Sequence, residues 1–384
     1  MYAFLVHYLF PQNVGLHTMR NNTSSTMEEG QEGATEDDQM ALLEEVAYGY
    51  IMPAFICVGV LTNLVNVVML TRARRQHTQR HSQATTFFYL IWLALTEMLA
   101  SLALLPALAN LDRRHLSYGW AFYYAHLEIP VLNALTSSSV YIVVGLSVDR
   151  YIAVCHPRRY QDVSAPRLAV IRITLSLLLP LLLYIPHGFY QEVVPADSGA
   201  GWTYTGLEML VPEAWYVWTV VVELCHRMLP AILLALLNAS IIYTFNKVTS
   251  RRRVITKNKG VAGSSNEDKS QQEQRLVYLL LAIVTTFLLT NLPATVLALI
   301  DTAGATHGSF SLEVFRAVAN CLEVLGFSLN FVLYFAMVPG VRQGLKEPLL
   351  VLHQALCCIV GKASAPHGCS YSQDQSKNTE SVQV

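Results

Sequence analysis

The chain has 384 residues, 53% of them apolar and only 14% charged, with a mean hydropathy of +0.36. Soluble globular proteins carry roughly a quarter charged residues, so composition excludes an ordinary soluble domain and points to a membrane protein. The net charge of −1 gives no ground for a nucleic-acid partner, and none is expected, because the charges are sorted by loop.

Residues 1–46 read as an acidic, disordered extracellular tail. Between Glu28 and Glu45 stand eight carboxylates and no basic residue, too much charge to bury a core. The segment serves either as a solvated spacer or as an attractor for a cationic ligand. Asn21 and Asn22 open overlapping glycosylation sequons, Asn21-Asn22-Thr23 and Asn22-Thr23-Ser24, of use only on a lumenal segment. Residues 1–10 are apolar but have no basic flank and no small-residue cleavage site, so they do not read as a signal peptide.

Seven apolar runs of about 20 residues or more follow, at 47–70, 84–109, 119–154, 168–190, 214–245, 276–300 and 314–338. Each is read as a helix, because backbone in lipid must satisfy its own hydrogen bonds. The expectation is an all-α membrane protein, a seven-helix bundle over 47–340. Lysines and arginines set the orientation. Arg72, Arg74, Arg75 and Arg80 follow the first run, Arg158, Arg159 and Arg167 the third, and eight more lie from Lys247 to Arg275, against only Arg20, Arg113 and Arg114 on the other side. The positive-inside rule then puts the N-terminus outside and the C-terminus in the cytoplasm.

Within the runs, polar residues are few. Asn63 and Asn66 lie in the first and Glu97 in the second, where a mid-membrane carboxylate costs about 2.5–3.5 kcal/mol and has to face the bundle. The third run closes on Asp149-Arg150-Tyr151. An arginine at that boundary is either a switch or a headgroup anchor. No cysteine falls in an outer loop: Cys57, Cys225 and Cys321 are inside runs, Cys155 ends the third, and Cys357, Cys358 and Cys369 follow the seventh. The outer loops therefore have no disulfide. After the seventh run, 341–358 reads as a short cytoplasmic amphipathic helix on the inner leaflet, with Cys357 and Cys358 suited to palmitoylation. Residues 359–384 read as a disordered tail, whose final Val382-Gln383-Val384 weakly fits a PDZ ligand. The third inner loop, 249–270, reads as a basic helix end and then a flexible linker, with Thr256, Ser264 and Ser265 as phosphorylation candidates.

Taken together, these residues resemble the rhodopsin-like G-protein-coupled receptors over about 47–356. Asn63 matches the first-helix asparagine, Glu97 stands where most members have aspartate, and Asp149-Arg150-Tyr151 matches the arginine motif. Pro230 matches the fifth-helix proline, Phe287 and Pro293 the sixth-helix aromatic and kink, and Asn330 to Tyr334 the seventh-helix motif, with Phe331 in the place of the usual proline. The segments Leu236-Leu237-Asn238, 287–293 and 330–334 are similar to FMRFamide-type neuropeptide receptors and related orphan receptors. The outer loop, without its disulfide, is held by packing or is more mobile. Leu132 replaces the aspartate of amine receptors, and Val324 the opsin lysine, so neither an amine nor retinal is expected.

The resemblance implies a receptor for an extracellular ligand, probing the bundle from outside and passing the signal to a heterotrimeric G protein. Arrestin, receptor kinases and membrane lipids are the further partners it implies. Glu273 stands twenty residues before Pro293, about 30 Å of helix, which brings it to the level of Arg150; it either locks Arg150 in the resting state or belongs to a solvated helix start. Pro230 and Pro293 bend their helices, and Phe287 repacks with the bend or is plain core. Glu97, Ser139, Asn63, Asn330 and Tyr334 are expected to form a polar centre, where the family implies a sodium ion near Glu97. In the outer half lie Glu128, Glu223, His226, Arg227 and Glu323, with Arg316 nearer the mouth. Glu223 and Arg227 share a face and neutralise each other if they pair. Glu128 and Glu323 have no such local partner and are the expected counter-ions for a basic or amidated peptide, with Leu132, Trp218, Asn291 and Asn320 lining the same cavity. The competing function is a transporter or channel using the intramembrane carboxylates, but no inverted repeat is visible and no span is interrupted by paired glycines. No His-Glu-x-x-His, Gly-x-Ser-x-Gly or phosphate loop occurs, so an enzyme is not expected.

Overall fold

The computed structural model describes residues 38–76, 81–109, 115–158, 160, 166–196, 201–206, 212–259, 264–302 and 310–337. The glycosylation candidates Asn21 and Asn22, the amphipathic stretch 341–358, and Cys357 and Cys358 lie outside the described residues. Seven helices are long and apolar enough to cross a membrane, as the apolar runs predict: α1 (Asp38–Arg75), α2 (Ala84–Pro106), α3 (Tyr118–Cys155), α4 (Arg167–Phe189), α5 (Val217–Val248), α6 (Val277–Leu297) and α7 (Phe310–Met337).

The arrangement puts α3 at the centre. It packs on α2, α4 and α5, while α1 packs on α2 and α7, and α6 on α7. One buried apolar cluster draws on all seven helices, among them Leu70, Leu93, Leu146, Ile173, Leu234, Ile283 and Tyr334. Leucines such as Leu61, Leu182, Leu236 and Leu289 point outward, as lipid-facing side chains must. Because lipid is as apolar as leucine, helices associate where small residues let backbones approach. Gly59 on α1 does this: a Cβ there would meet Ser101 Oγ of α2 at 3.1 Å and Ser328 Oγ of α7 at 3.5 Å.

Three helices widen into a π-turn just ahead of a proline. These are Glu45–Ile51 before Pro53, Tyr123–Leu127 before Pro130, and Leu224–Met228 before Pro230. The cause is the missing N–H: the chain bulges where the ladder breaks. At the third turn, Leu229 N–H donates to Leu224 O, so Cys225 O is the next acceptor in that register and Pro230 has nothing to give it. The Tyr141 hydroxyl of α3 fills the gap, donating to Cys225 O at 2.8 Å. At the second turn, Pro130 withdraws the donor that would reach His126 O four residues back. Gly188, at the end of α4, lies against that carbonyl, and His126 Nδ1–H donates to Gly188 O at 2.7 Å.

Between α4 and α5, strands β1 (Gln191–Pro195) and β2 (Trp202–Gly206) form an antiparallel hairpin with Gln191 opposite Gly206. A lone two-stranded hairpin is marginal, and this one is tied to the segment before α3. Leu116 N–H donates to Trp202 O at 2.9 Å, and Trp202 N–H donates back to Leu116 O at 2.8 Å. Tyr204 packs with Leu116, Ala121, Tyr124 and Ala125, and the Tyr118 ring meets Trp202 edge-on at 5.2 Å. Gly201 takes φ 94°, the left-handed region that favours glycine. Backbone pairing thus adds to the packing expected in place of a disulfide.

Two boundaries differ from the sequence reading. Helix α1 begins at Asp38, so the last part of the supposed acidic tail, 38–46, is helical; Tyr48 and Ala47 on its inner side pack with Ala317 of α7, and that burial extends the helix outward. The helix of α5 continues to Lys259 and that of α6 begins at Ser264, leaving less of the 249–270 loop for a linker than its glycines and serines predict.

The Gly188 contact has a direct test. A Cβ there would come within 2.8 Å of His126 O, whereas one at Gly119 meets nothing within 4 Å. Gly188→Ala is expected to destabilise the bundle by about 1–3 kcal/mol, seen as a lower thermal midpoint of the purified protein, while Gly119→Ala leaves the midpoint unchanged.

Candidate functional site

Polar side chains gather at three levels of the bundle. At the end opposite the hairpin, Asp149 and Arg150 close α3 with side chains 2% and 5% exposed. Arg150 Nη2 donates to Asp149 and, at 3.1 Å, to the Tyr160 hydroxyl. The other Asp149 oxygen faces Arg172 Nη1 of α4 at 3.4 Å. Tyr160 and Arg172 were not anticipated, though Arg172 is the one lysine or arginine within 168–190 and so had to meet a partner. Glu273 lies on the helix of α6 as its spacing requires, but its side chain is outside the described residues. The Tyr151 ring packs edge-on to His156 at 5.6 Å.

At mid-bundle a small cavity is lined by Glu97 of α2, Ser139 of α3, Phe287, Thr290 and Asn291 of α6, and Glu323 and Asn330 of α7. The space open to a water-sized body is about 20 Å³, room for one water or a bare ion. Asn330 Nδ2 donates to Glu97 Oε1 at 2.7 Å, which ties α7 to α2. Glu97 Oε2 is buried without a hydrogen-bond partner. The rest of the expected polar centre is dispersed. Asn63 Nδ2 donates to Phe327 O at 3.0 Å and Asn63 Oδ1 accepts from Asn66 Nδ2 at 3.4 Å, while Tyr334 is buried with its hydroxyl unanswered. Ser139 donates to Thr136 O of its own helix at 2.7 Å, as do Thr136, Ser137 and Ser138 to carbonyls one turn back. A hydroxyl that bonds back has no need of a neighbouring helix. Phe287 O accepts from Asn291 Nδ2 at 2.9 Å, holding the α6 segment beside Pro293.

Toward the hairpin end the expected ion pair forms: Arg227 Nε donates to Glu223 Oε2 at 2.7 Å. Glu323, expected to have no local partner, has none among the described residues of its own helix. It lies on α7, but Arg227 Nη1 reaches across the bundle to within 3.7 Å of Glu323 Oε2. One-dimensional spacing cannot show a pair between helices almost a hundred residues apart. His226, beside it, shares a hydrogen bond of 2.6 Å with the Tyr184 hydroxyl of α4. Glu128 is 1% exposed at the start of the regular part of α3. Arg316 donates to Glu313 at 3.1 Å, and Asn320 Nδ2 to the Tyr48 hydroxyl at 3.1 Å.

The ligand-lining set expected from the sequence therefore divides. Asn291 and Glu323 face the cavity; Leu132 is buried among Tyr48, Met52 and Val324; Trp218 packs on Ala134, Tyr184 and Val222; and Asn320 belongs to the α1 contact.

The sequence matches a known family model. Residues 35–334 fit the seven-transmembrane receptor (rhodopsin family) model. A probable G-protein coupled receptor of Caenorhabditis elegans is 28% identical over 321 residues, covering 78% of this chain and 74% of its own length. The somatostatin receptor type 4 of Rattus norvegicus is 26% identical over 302 residues, 77% and 73% of the two chains. The sex peptide receptor of Drosophila melanogaster is 25% identical over 335 residues, 79% and 72%.

Removing the hydroxyl that serves the widened turn of α5 tests the local argument. Tyr141→Phe strands Cys225 O and is expected to cost about 1–3 kcal/mol of stability. The thermal midpoint should fall, and more than for Ser240→Ala further along α5, whose hydroxyl bonds back to Leu236 O.

Proposed function

Because the chain belongs to the rhodopsin family of seven-transmembrane receptors, we propose that it sits in the plasma membrane, binds an extracellular peptide and drives nucleotide exchange on a heterotrimeric G protein. The single observation that carries the coupling half is the buried Arg150, held by Asp149 and Tyr160 at the end of α3. A desolvated arginine is retained there at a cost, and swinging it free gives a partner a charged, bidentate handle.

Orientation follows the charge of the loops. The hairpin end faces outward, and the Arg150 end, flanked by Arg72, Arg74 and Arg75, faces the cytoplasm. The name of the Drosophila sex peptide receptor supports a peptide ligand, as do the carboxylates Glu128, Glu223 and Glu323 toward the outer half, which suit a basic chain. Leu132 in an apolar cluster leaves no carboxylate for a small amine at that point of α3.

A sodium ion fits the mid-bundle cavity. Hard cations take oxygen ligands, and Glu97 Oε2, buried and without a hydrogen-bond partner, offers one beside Ser139 and Asn330. When bound, the ion supplies a positive charge that stabilises the ionised Glu97. Ser139 would have to turn from Thr136 O to join it.

On activation, ligand contacts outside favour a second packing of the bundle. The prolines of α5 and α6 supply the bend, Phe287 repacks beside the cavity, and Arg150 leaves Tyr160 for the G protein.

Cells or nanodiscs carrying the full chain, challenged with a panel of basic and amidated neuropeptides, test this reading through guanine-nucleotide exchange on purified heterotrimers. Stimulated exchange is expected in the wild type and absent in Arg150→Ala at equal surface expression. Glu128→Gln should weaken potency about tenfold, ~1.4 kcal/mol, with expression unchanged. Ligand-independent ion currents with no exchange on any heterotrimer would instead favour a channel.

A further inference from the structure

Glu223, Arg227 and Glu323 form a group whose charges do not balance. The α5 pair is explained by its own helix, since residues four apart share a face. Glu323 has no such explanation. It projects from α7 with a side chain 3% exposed, and its ion pair is with Arg227 of α5, itself 4% exposed. The separation of 3.7 Å is beyond hydrogen-bond range. Both Glu323 Oε2 and Arg227 Nη2 are buried without hydrogen-bond partners. A desolvated carboxylate answered only by a charge at a distance gains strongly from any donor that reaches it. Among the described residues, two carboxylates stand against one guanidinium in this group, which leaves one negative charge over, so the donor that completes it is cationic.

The position of the pair gives it a mechanical meaning. Helix α5 packs on α3, while α7 packs on α1, α2 and α6. The bridge from Arg227 to Glu323 therefore ties two helices that rest chiefly on different neighbours. Glu323 also lines the cavity that holds Glu97, Asn291 and Asn330, so a change at its carboxylate is felt where α2, α6 and α7 meet.

We propose that Arg227 is an internal stand-in for a ligand cation at Glu323: the pair ties α5 to α7 in the empty bundle, and an ammonium or guanidinium entering from outside takes Glu323 and releases the tie. This deepens the receptor reading and rests on it for the consequence of release. It assigns opposite roles to two adjacent residues, since Glu323 recognises the ligand and Arg227 competes with it.

The test uses the full chain in nanodiscs as wild type, Arg227→Met, Glu323→Gln and the double variant. Thermal midpoints of the four are expected to be non-additive, the double variant being no worse than the worse single. Additive losses would overturn the tie. Agmatine, which carries a guanidinium and an ammonium but no carboxylate, serves as the cationic probe. It should raise the midpoint of Arg227→Met more than that of the wild type, because the competitor is gone, and leave Glu323→Gln unmoved. An equal shift in all forms, or none in any, would overturn the cation site.

Release is read separately, as basal nucleotide exchange on purified heterotrimers, expected to rise about five-fold or more in either single variant. Unchanged basal exchange in variants that do respond to a peptide would overturn the release step. If no form ever supports exchange, the receptor reading fails, and the midpoint cycle and agmatine still decide whether the tie and the cation site exist.

Discussion

Inside a bilayer no water answers a polar group, so each one that the helices carry has to be met within the protein. Much of the detail of this bundle follows from that constraint. Prolines remove donors from α1, α3 and α5, the ladder widens ahead of each, and the carbonyl left over at Cys225 is met by Tyr141. The hydroxyl run 136–139 is tolerated at the centre of α3 because each member bonds back to its own helix. Asn63 is spent on a carbonyl of α7. Among the buried atoms that the constraint leaves unmet, Glu97 Oε2 and Glu323 Oε2 are carboxylate oxygens of residues lining one cavity, and that is where an entering cation gains most.

The sequence carried the fold well and the site in part, for reasons that differ by residue. Seven crossings were legible because length and hydropathy are summed over many residues. Arg150 was legible because a charge at the end of an apolar run is costly wherever it points. The pairing of Glu223 with Arg227 was legible because its partner lies one turn away. Arg227 with Glu323, Tyr184 with His226, and Asp149 with Arg172 were not, since each joins helices whose relative rotation is set by packing. The hairpin between α4 and α5 was hidden too. Its strands are only five residues each, and part of what ties them to the bundle is two backbone bonds between Trp202 and Leu116, which side-chain identity does not encode. The outward extension of α1 was masked by its carboxylates: Glu44 and Glu45 face solvent while Ala47 and Tyr48 are buried, so an acidic composition concealed a helix with one packed side.

Phe331 in the place of the usual seventh-helix proline changes where the bundle bends. A phenylalanine keeps its N–H, and α7 runs unbroken from Phe310 to Met337; its ring stacks on Phe335 one turn on, with centroids 6.2 Å apart. A helix with its ladder intact resists sharp kinking. Pro230 and Pro293 remain within α5 and α6, so flexibility is moved toward those two helices, and α7 behaves more as a strut. Gly326 supports this division. A Cβ there would stand 2.8 Å from Thr290 Oγ1, so α7 and α6 touch closely just beside the cavity, and a bend in α6 is transmitted to a rigid neighbour.

A rigid α7 makes the ends of the molecule mutually dependent without a continuous chain of hydrogen bonds. Glu323 and Asn330 are two turns apart on that strut, one bound by charge to α5 and the other by a 2.7 Å hydrogen bond to Glu97 of α2. A ligand that alters the first contact can act on the second only through its differential affinity for two packings of the bundle; moving the balance from one in a hundred to the reverse takes about 5.5 kcal/mol. A long, unclosed ion pair at 3.7 Å leaves Glu323 Oε2 and Arg227 Nη2 without hydrogen bonds, so its replacement by a well-placed cation can contribute to that difference. A closed, fully hydrogen-bonded pair could not, because the ligand would first have to break it. The imperfection of the Arg227 contact is thus what makes it usable as the outer half of a switch.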